Sequence, residues 1–293
     1  MNVFHSGELA VQRRAGQADI AAKVGRTVHT AIPEAAARFL AEQPMVVIAA
    51  VDDAGSPWVT QLTGAPGFLR ALDARTLEIA ALPGRGDPLT PPDHPWRVGL
   101  IAVEPDRRRR MRANGTVRRI GDRLHMTVEQ VYSNCPKYIS RRHIVDVAER
   151  TPPEPEVRRG IELDARQQAA IAAADAFFVG STDTAGRADA SHRGGDPGFV
   201  EVRAPDRLYW PEYRGNSMFM TLGNLAVEPR CGVLIPDWNT GGLLHLTGTA
   251  ELSWAAGPAG AGPAGVEFTV RAVAERLAGP LRWSPPELSP VNP

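Results

Sequence analysis

Arg214-Gly215-Asn216-Ser217 stands between a strand-like run that ends at Trp210-Pro211 and a helix-like segment that starts near Met218. Backbone N–H groups at a helix N-terminus, the positive end of the helix dipole and an arginine fork together make a phosphate cradle. Arg193, within Ser191-His192-Arg193-Gly194 on a neighbouring strand, would close that cradle from the other side. The same four residues also read as an Asn or Ser N-cap beside an exposed arginine, and the sequence leaves both readings open. His192 is either a hydrogen-bonded structural residue or a proton donor. A metal site is not expected, because the seven histidines show no ligand spacing and the two cysteines, Cys135 and Cys231, form no Cys-x-x-Cys pair. Gly55-Ser-Pro and Gly180-Ser-Thr read as turns and not as nucleophile elbows. No P-loop or G-x-G-x-x-G follows a strand, which argues against a built-in nicotinamide-binding domain.

The elements that must position these residues come from a chain that is written twice. Asp53-Ala-Gly55, Gly64-Ala-Pro-Gly-Phe68 and Leu77 return as Ala185-Gly186, Gly195-Asp-Pro-Gly-Phe199 and Leu208; further on, Gly99 meets Gly232 and Gly115-Thr116 meets Gly248-Thr249. Two copies of one domain facing each other would build a site at their junction. In the first copy a helix is predicted over 33–42, followed by strands over 45–51, 58–62, 68–72, 77–82, 98–103, 115–120 and 123–128. The second repeats the plan with a helix over 165–174, strands over 177–181, 198–203, 207–210, 231–236 and 243–252, and a helix over 218–227. Short strands at this spacing predict a mainly β fold, an antiparallel barrel or sandwich with a few helices, rather than a parallel βαβ sheet.

A length of 293 residues suits about two domains. The expected division is 1–150 and 151–293, joined by a stiff proline linker over 150–156, with a Gly/Ala/Pro-rich break at 255–265. Lysine plus arginine equals aspartate plus glutamate at 33 each, so the whole-chain field is weak and no nucleic-acid partner is expected. The run Arg107-Arg108-Arg109-Arg110 with Arg112 reads first as a solvated face. The segment 1–17 is polar and lacks the apolar core of a secretory signal, and the longest apolar run is Met45–Val51. With two cysteines in non-equivalent places, reduced thiols, no membrane partner and a cytoplasmic location are expected.

A resemblance then adds to this reading. Ser191-His-Arg-Gly-Gly-Asp-Pro-Gly-Phe199, Leu208-Tyr-Trp-Pro-Glu-Tyr-Arg-Gly-Asn-Ser-Met218 and Glu228-Pro-Arg-Cys-Gly-Val-Leu-Ile-Pro-Asp-Trp238 resemble the pyridoxamine 5′-phosphate oxidase-like flavoproteins. Phe4-His-Ser-Gly-Glu-Leu-Ala-Val-Gln12, Val131-Tyr-Ser-Asn-Cys-Pro-Lys-Tyr-Ile139 and Ser289-Pro-Val-Asn-Pro293 are similar to the branch of predicted flavin-nucleotide-binding proteins. That family's fold is a split β-barrel that dimerises and holds FMN in the groove between barrels. The resemblance implies two tandem split β-barrels of the FMN-binding type, packed as an intrachain pseudo-dimer.

By the same resemblance the flavin phosphate falls to Ser191, His192, Arg193 and Gly194 and to Arg214, Gly215, Asn216 and Ser217, while Trp210 and Pro211 lie beside the ring or ribityl chain. Asn134, Lys137 and Tyr138 would reach across from the first copy, with Lys137 pairing the phosphate or stabilising negative charge on the reduced ring. From the residues alone, Cys135-Pro136 equally reads as a helix start capped by Asn134. The basic strand motif of the pyridoxamine phosphate oxidases is replaced by His192-Arg193 and glycines, so vitamin B6 oxidation is not expected. The first copy keeps Arg85-Gly86 but follows them with Asp87 and Pro88, and an acid there opposes a phosphate; one intact and one decayed flavin site are expected. The implied function is an FMN-dependent oxidoreductase acting on a small organic substrate with a separate electron acceptor, His192 and Lys137 being the catalytic candidates. The alternative is a flavin, deazaflavin or haem binding protein without turnover. Trp58, Trp210, Tyr138 and Trp238 are expected to line the groove and stack a planar partner, which favours the enzyme. Association into a homodimer is left open.

Overall fold

A computed structural model of the chain describes residues 3–147, 156–254 and 262–293. Helices α1 (Ser6–Arg14), α2 (Ala18–Val24) and α3 (Glu34–Glu42) precede a seven-stranded antiparallel sheet. Its strands are β1 (Met45–Val51), β2 (Pro57–Thr63), β3 (Leu69–Ala71), β4 (Thr76–Ile79), β5 (Trp96–Glu104), β6 (Arg109–Ile120) and β7 (Arg123–Ser133), in the order β2-β1-β5-β6-β7-β4-β3. After β8 (Ile144–Val147), β9 (Val157–Gly160) and α4 (Ala165–Ala173), the path repeats. β10 (Ala176–Thr182), β11 (Ala188–Gly194), β12 (Glu201–Ala204), β13 (Arg207–Pro211), α5 (Met220–Val227), β14 (Arg230–Pro236), β15 (Leu243–Trp254) and β16 (Pro263–Arg276) give β11-β10-β14-β15-β16-β13-β12. Strand for strand this is the first sheet again, so the duplication seen in the sequence is a duplication of fold. Finally, β17 (Leu281–Trp283) pairs with β8, and β9 pairs with β16.

The repeated glycines do the same work in both copies. Gly55 and Gly186 take φ of 81° and 74° at the tip of the first hairpin of each sheet, a conformation that costs a residue with a Cβ. Gly115 and Gly248 each follow a shift of register, and a Cβ there would lie 2.1 Å from the Thr127 oxygen and 2.0 Å from the Thr269 oxygen.

Helices α1 and α2 and strands β8, β9 and β17 are not among the predicted elements, and three further departures are local. β6 starts at Arg109, so part of the arginine run is strand and not a solvated face. β16 starts at Pro263, inside the expected Gly/Ala/Pro break, whose remaining residues 255–261 lie outside the described residues. α5 starts at Met220, two residues later than expected, because Phe219 takes the left-handed conformation (φ 55°) at its N-cap. The proline linker, apart from Glu156, and the expected division at 150 also lie outside the described residues.

The two halves meet face to face through matched positions. A Cβ on Gly99 of β5 would lie 2.5 Å from the Asp189 Cα of β11, and one on Gly232 of β14 would lie 2.8 Å from the Trp58 Cα of β2. At the centre, Gly180 of β10 faces its counterpart Ala49 of β1, whose Cβ is 2.6 Å from where a Gly180 Cβ would stand. This reciprocity is that of a two-fold interface written into one chain. Val47, Val59 and Ile101 of the first half share a buried cluster there with Phe178, Ala190 and Leu234 of the second. Since backbone faces backbone, an added methyl has nowhere to go. Gly99→Ala should cost about 1–3 kcal/mol by overpacking, a Tm drop of roughly 2–10 °C. Thermal unfolding of the variant checks this, and an unchanged Tm contradicts the close seam.

Candidate functional site

Beside that seam opens a cleft whose empty space, counted out into open solvent, is about 840 Å³. β6 forms one wall and supplies Arg110 and Arg112, two residues apart and therefore on one face of the strand. β11 forms the opposite wall with Ser191, His192, Arg193 and Gly194. The loop after β7 brings Asn134, Lys137 and Tyr138, and the chain between β13 and α5 brings Pro211, Gly215, Asn216 and Ser217. Eleven of the thirteen residues singled out by the sequence as cofactor-binding thus meet in one place. The 134–138 segment does reach across the halves: the Tyr138 hydroxyl donates to the Arg214 carbonyl at 3.0 Å, and Arg142 just beyond it makes a buried bidentate pair with Asp175 at 2.9 and 2.6 Å.

The electrostatics are uneven in an informative way. Arg112 is 8 % exposed and spends its fork across the seam, donating at 2.7 Å to Asp189 Oδ2 and at 2.7 Å to Ser191 Oγ. Desolvation works against its charge, but Asp189 and Tyr132 reverse the effect and its pKa is raised. Arg193 is held by Glu212 through contacts of 2.8 and 2.6 Å. Arg110 has no such partner. It donates to His192 Nδ1 at 3.0 Å and to the His192 carbonyl at 3.4 Å, its buried Nε has no acceptor, and no carboxylate pairs with it among the described residues. Desolvation and then Arg112 push its pKa down to about 9. Lys137 likewise has no ion pair among the described residues.

His192 is buried at 6 % exposure. An arginine can only donate, so Nδ1 accepts and the proton of the neutral ring sits on Nε2. Burial first, then Arg110, Arg193, Arg112 and Arg142, hold its pKa well below the usual histidine value. A general-acid role would need the imidazolium that these four arginines oppose; what the ring offers is a hydrogen-bond donor at Nε2.

Other expectations fall elsewhere. Trp210 is 1 % exposed in the core of the second barrel, edge-on to Phe177 and near Phe268, because β13 turns it inward while the neighbouring Pro211 faces the cleft. Arg214 is exposed and contributes no cleft wall; its carbonyl, not its guanidinium, is engaged. With α5 beginning at Met220, the Arg214–Ser217 turn does not cap the helix. Trp58 donates to Asp52 within the first core and Trp238 packs edge-on to Trp283, so of the four expected aromatics only Tyr138 lines the cleft, its ring 5.2 Å from that of Tyr213. Asn134-Cys-Pro starts no helix.

Arg110 and Arg112 are the cleft residues that a reading of the sequence passes over. Their signal lay in the period of two: once strand β6 is extended back through the run, Arg110, Arg112 and Asn114 alternate onto one face, with Arg109 on the other bound to Glu104. Superposing the repeats gives a second clue, since Arg112 opposite Tyr132 occupies the register of His245 opposite Ala274.

The twin position in the first half is closed. Thr60, the counterpart of Ser191, donates to Asp87 Oδ2, and Asp87, His245 and Arg276 crowd a space of only about 210 Å³. Burial lowers the Arg276 pKa and Asp87 opposes that shift, so the carboxylate sits where its charge is needed.

No protein-family model matches the chain, and no curated protein matches it. Solved structures do. A putative pyridoxamine 5′-phosphate oxidase from Lactobacillus delbrueckii is 14 % identical over 38 % of this chain and 93 % of that one, with a TM-score of 0.30. An FAD-binding protein from Mesorhizobium loti is 12 % identical over 41 % and 96 % (TM-score 0.28), and the heme storage protein HutZ from Vibrio cholerae is 9 % identical over 44 % and 98 % (TM-score 0.28). Each matches somewhat less than half of this chain with nearly all of its own length. The resemblance read from the sequence is one of fold, a split barrel present twice, and the duplicated strand order carries that statement by itself.

The histidine gives a pH test. A folded-state pKa below the unfolded value means that the unfolded chain binds the proton first, so the stability His192 confers is present above about pH 6.5 and is lost as the pH falls below it. Chemical denaturation at pH 7 and pH 5 should therefore show wild type losing more stability than His192→Gln. Parallel losses would contradict a neutral buried ring.

Proposed function

We propose that the cleft binds FMN by its phosphate and that the chain is a flavin-dependent oxidoreductase for a small organic substrate. The observation that supports this best is the unpaired Arg110. Four cations, Arg110, Arg112, Lys137 and Arg193, meet only two carboxylates, Asp189 and Glu212, which leaves a surplus of two positive charges in a partly desolvated space. A partly buried guanidinium with an orphaned Nε and no counter-ion calls for a ligand anion. A phosphate monoester dianion matches both the surplus and the fork geometry.

The residues fit the rest of such a ligand. Phe199, Met218, Phe219 and Leu222 give the cleft an apolar lining, and the tilted Tyr138–Tyr213 pair gives it an aromatic edge for a planar ring. When bound, the flavin supplies the capacity to accept a hydride or electrons. Lys137 then contributes positive charge where reduction makes the ring anionic, and His192 Nε2–H contributes a fixed donor. His192 has Nδ1 occupied by Arg110 and Nε2 protonated, so it presents no lone pair to a haem iron.

Arg110→Ala should raise the FMN dissociation constant about 10- to 150-fold, equivalent to a charge-assisted contact of about 1.5–3 kcal/mol. Arg214→Ala, altering an exposed side chain outside the cleft wall, should change it less than about threefold. Fluorescence titration with FMN measures both. The reverse ranking would return the phosphate to the Arg214 turn, and bleaching of the bound flavin by organic donors separates catalyst from carrier.

A further inference from the structure

Of the four non-glycine residues with positive φ among the described residues, three line the cleft: Tyr138 at 66°, Ser217 at 65° and Phe219 at 55°. Each such residue costs on the order of 1–2 kcal/mol and persists only where its surroundings dictate it. Ser217 and Phe219 flank Met218, so the wall segment 216–219 carries two strained residues with one residue between them. Its own sequence gives it little support. Asn216 Oδ1 accepts from the Met218 N–H at 3.2 Å, and no side chain caps the helix that follows.

The support comes from the far end of the chain. Helix α1 belongs by sequence to the first half, yet it packs on α5 of the second: a Cβ on Gly7 would lie 2.3 Å from the Gly223 oxygen, and one on Gly223 would lie 2.5 Å from the Glu8 Cα. Val11 joins the core of the second barrel. From this docked helix Gln12, 1 % exposed, donates its Nε2 to the Met218 carbonyl at 2.9 Å. This is a buried side-chain bond to the one residue between the two strained residues.

We propose that Gln12 is a positioning residue for the ligand cleft: its amide holds Met218, and through it the left-handed Ser217 and Phe219, in the shape that receives the ligand. The inference rests on the phosphate reading of the cleft. Without the donor, the Met218 carbonyl is buried unpaired, and the segment relieves both that defect and its backbone strain by relaxing. Apparent affinity then falls with the fraction of chains still competent to bind.

Gln12→Met keeps the length and packing of the side chain and removes the amide. In the full-length chain it should weaken FMN about tenfold, the factor expected when a buried hydrogen bond is lost, and speed amide exchange over 216–219. The Tm should fall by no more than a few degrees. The same change in the S217G background should weaken FMN by less than about threefold relative to S217G alone, because glycine adopts positive φ without that strain. Gln12→Glu serves as a second variant that preserves shape. Wild type that takes up no FMN refutes the phosphate reading and this inference together. Wild type that binds FMN while both Gln12 variants bind it equally well, or lose it only with the folded spectrum, overturns the positioning role alone.

Discussion

The ion pair that Arg112 makes with Asp189 crosses the seam between the halves, and the rest of the site is arranged around it. Both side chains are nearly out of water, so neither charge is tolerable without the other; separating such a pair typically costs about 3–5 kcal/mol. Arg112 also binds Ser191, while Tyr132 and Asn114 donate to the other oxygen of Asp189 at 3.1 Å each. The pair therefore fixes β6 against β11. It also decides which cation is left over, since Arg110, two residues along the same strand face, finds Asp189 already satisfied and is left with only a histidine as partner.

Duplication explains why such a seam exists in one chain, and divergence explains why its two ends differ. Gly99 and Gly232 permit the same close approach on either side of the pseudo-two-fold, and Ala49 meets Gly180 on it. At one end the second-half strand and first-half arginines enclose an open, positively charged cleft. At the other, His245 stands at the register of Arg112, and Asp87 supplies from within the chain the negative charge that the open end lacks. On the proposed reading there is one anion site per chain, with the first half acting as a cover for the second.

Much of this was legible in the residues. The turn and bulge glycines repeated at constant spacing because backbone conformation demanded them, and that gave the duplicated antiparallel fold. The Ser191–Gly194 strand and the 134–138 segment line one cleft. What could not be read was direction. Trp210 and Pro211 are neighbours on one strand, yet one enters the core and the other the cleft. Arg214 looked like the phosphate ligand because an arginine beside a helix start is locally persuasive, whereas Arg110 sat in a run whose composition suggested solvent. Burial across a seam between distant segments is invisible to local pattern, and so was the Gln12 bond, which spans the chain from α1 to the wall before α5.

The most direct measurement of the central claim is a calorimetric titration of the ligand-free chain with FMN, repeated with riboflavin, which lacks the phosphate. The account predicts one FMN per chain, bound at least about tenfold more tightly than riboflavin, in keeping with a charge-assisted contact. Two equivalents per chain, or equal affinity for the two flavins, would contradict a single phosphate-binding cleft between the halves.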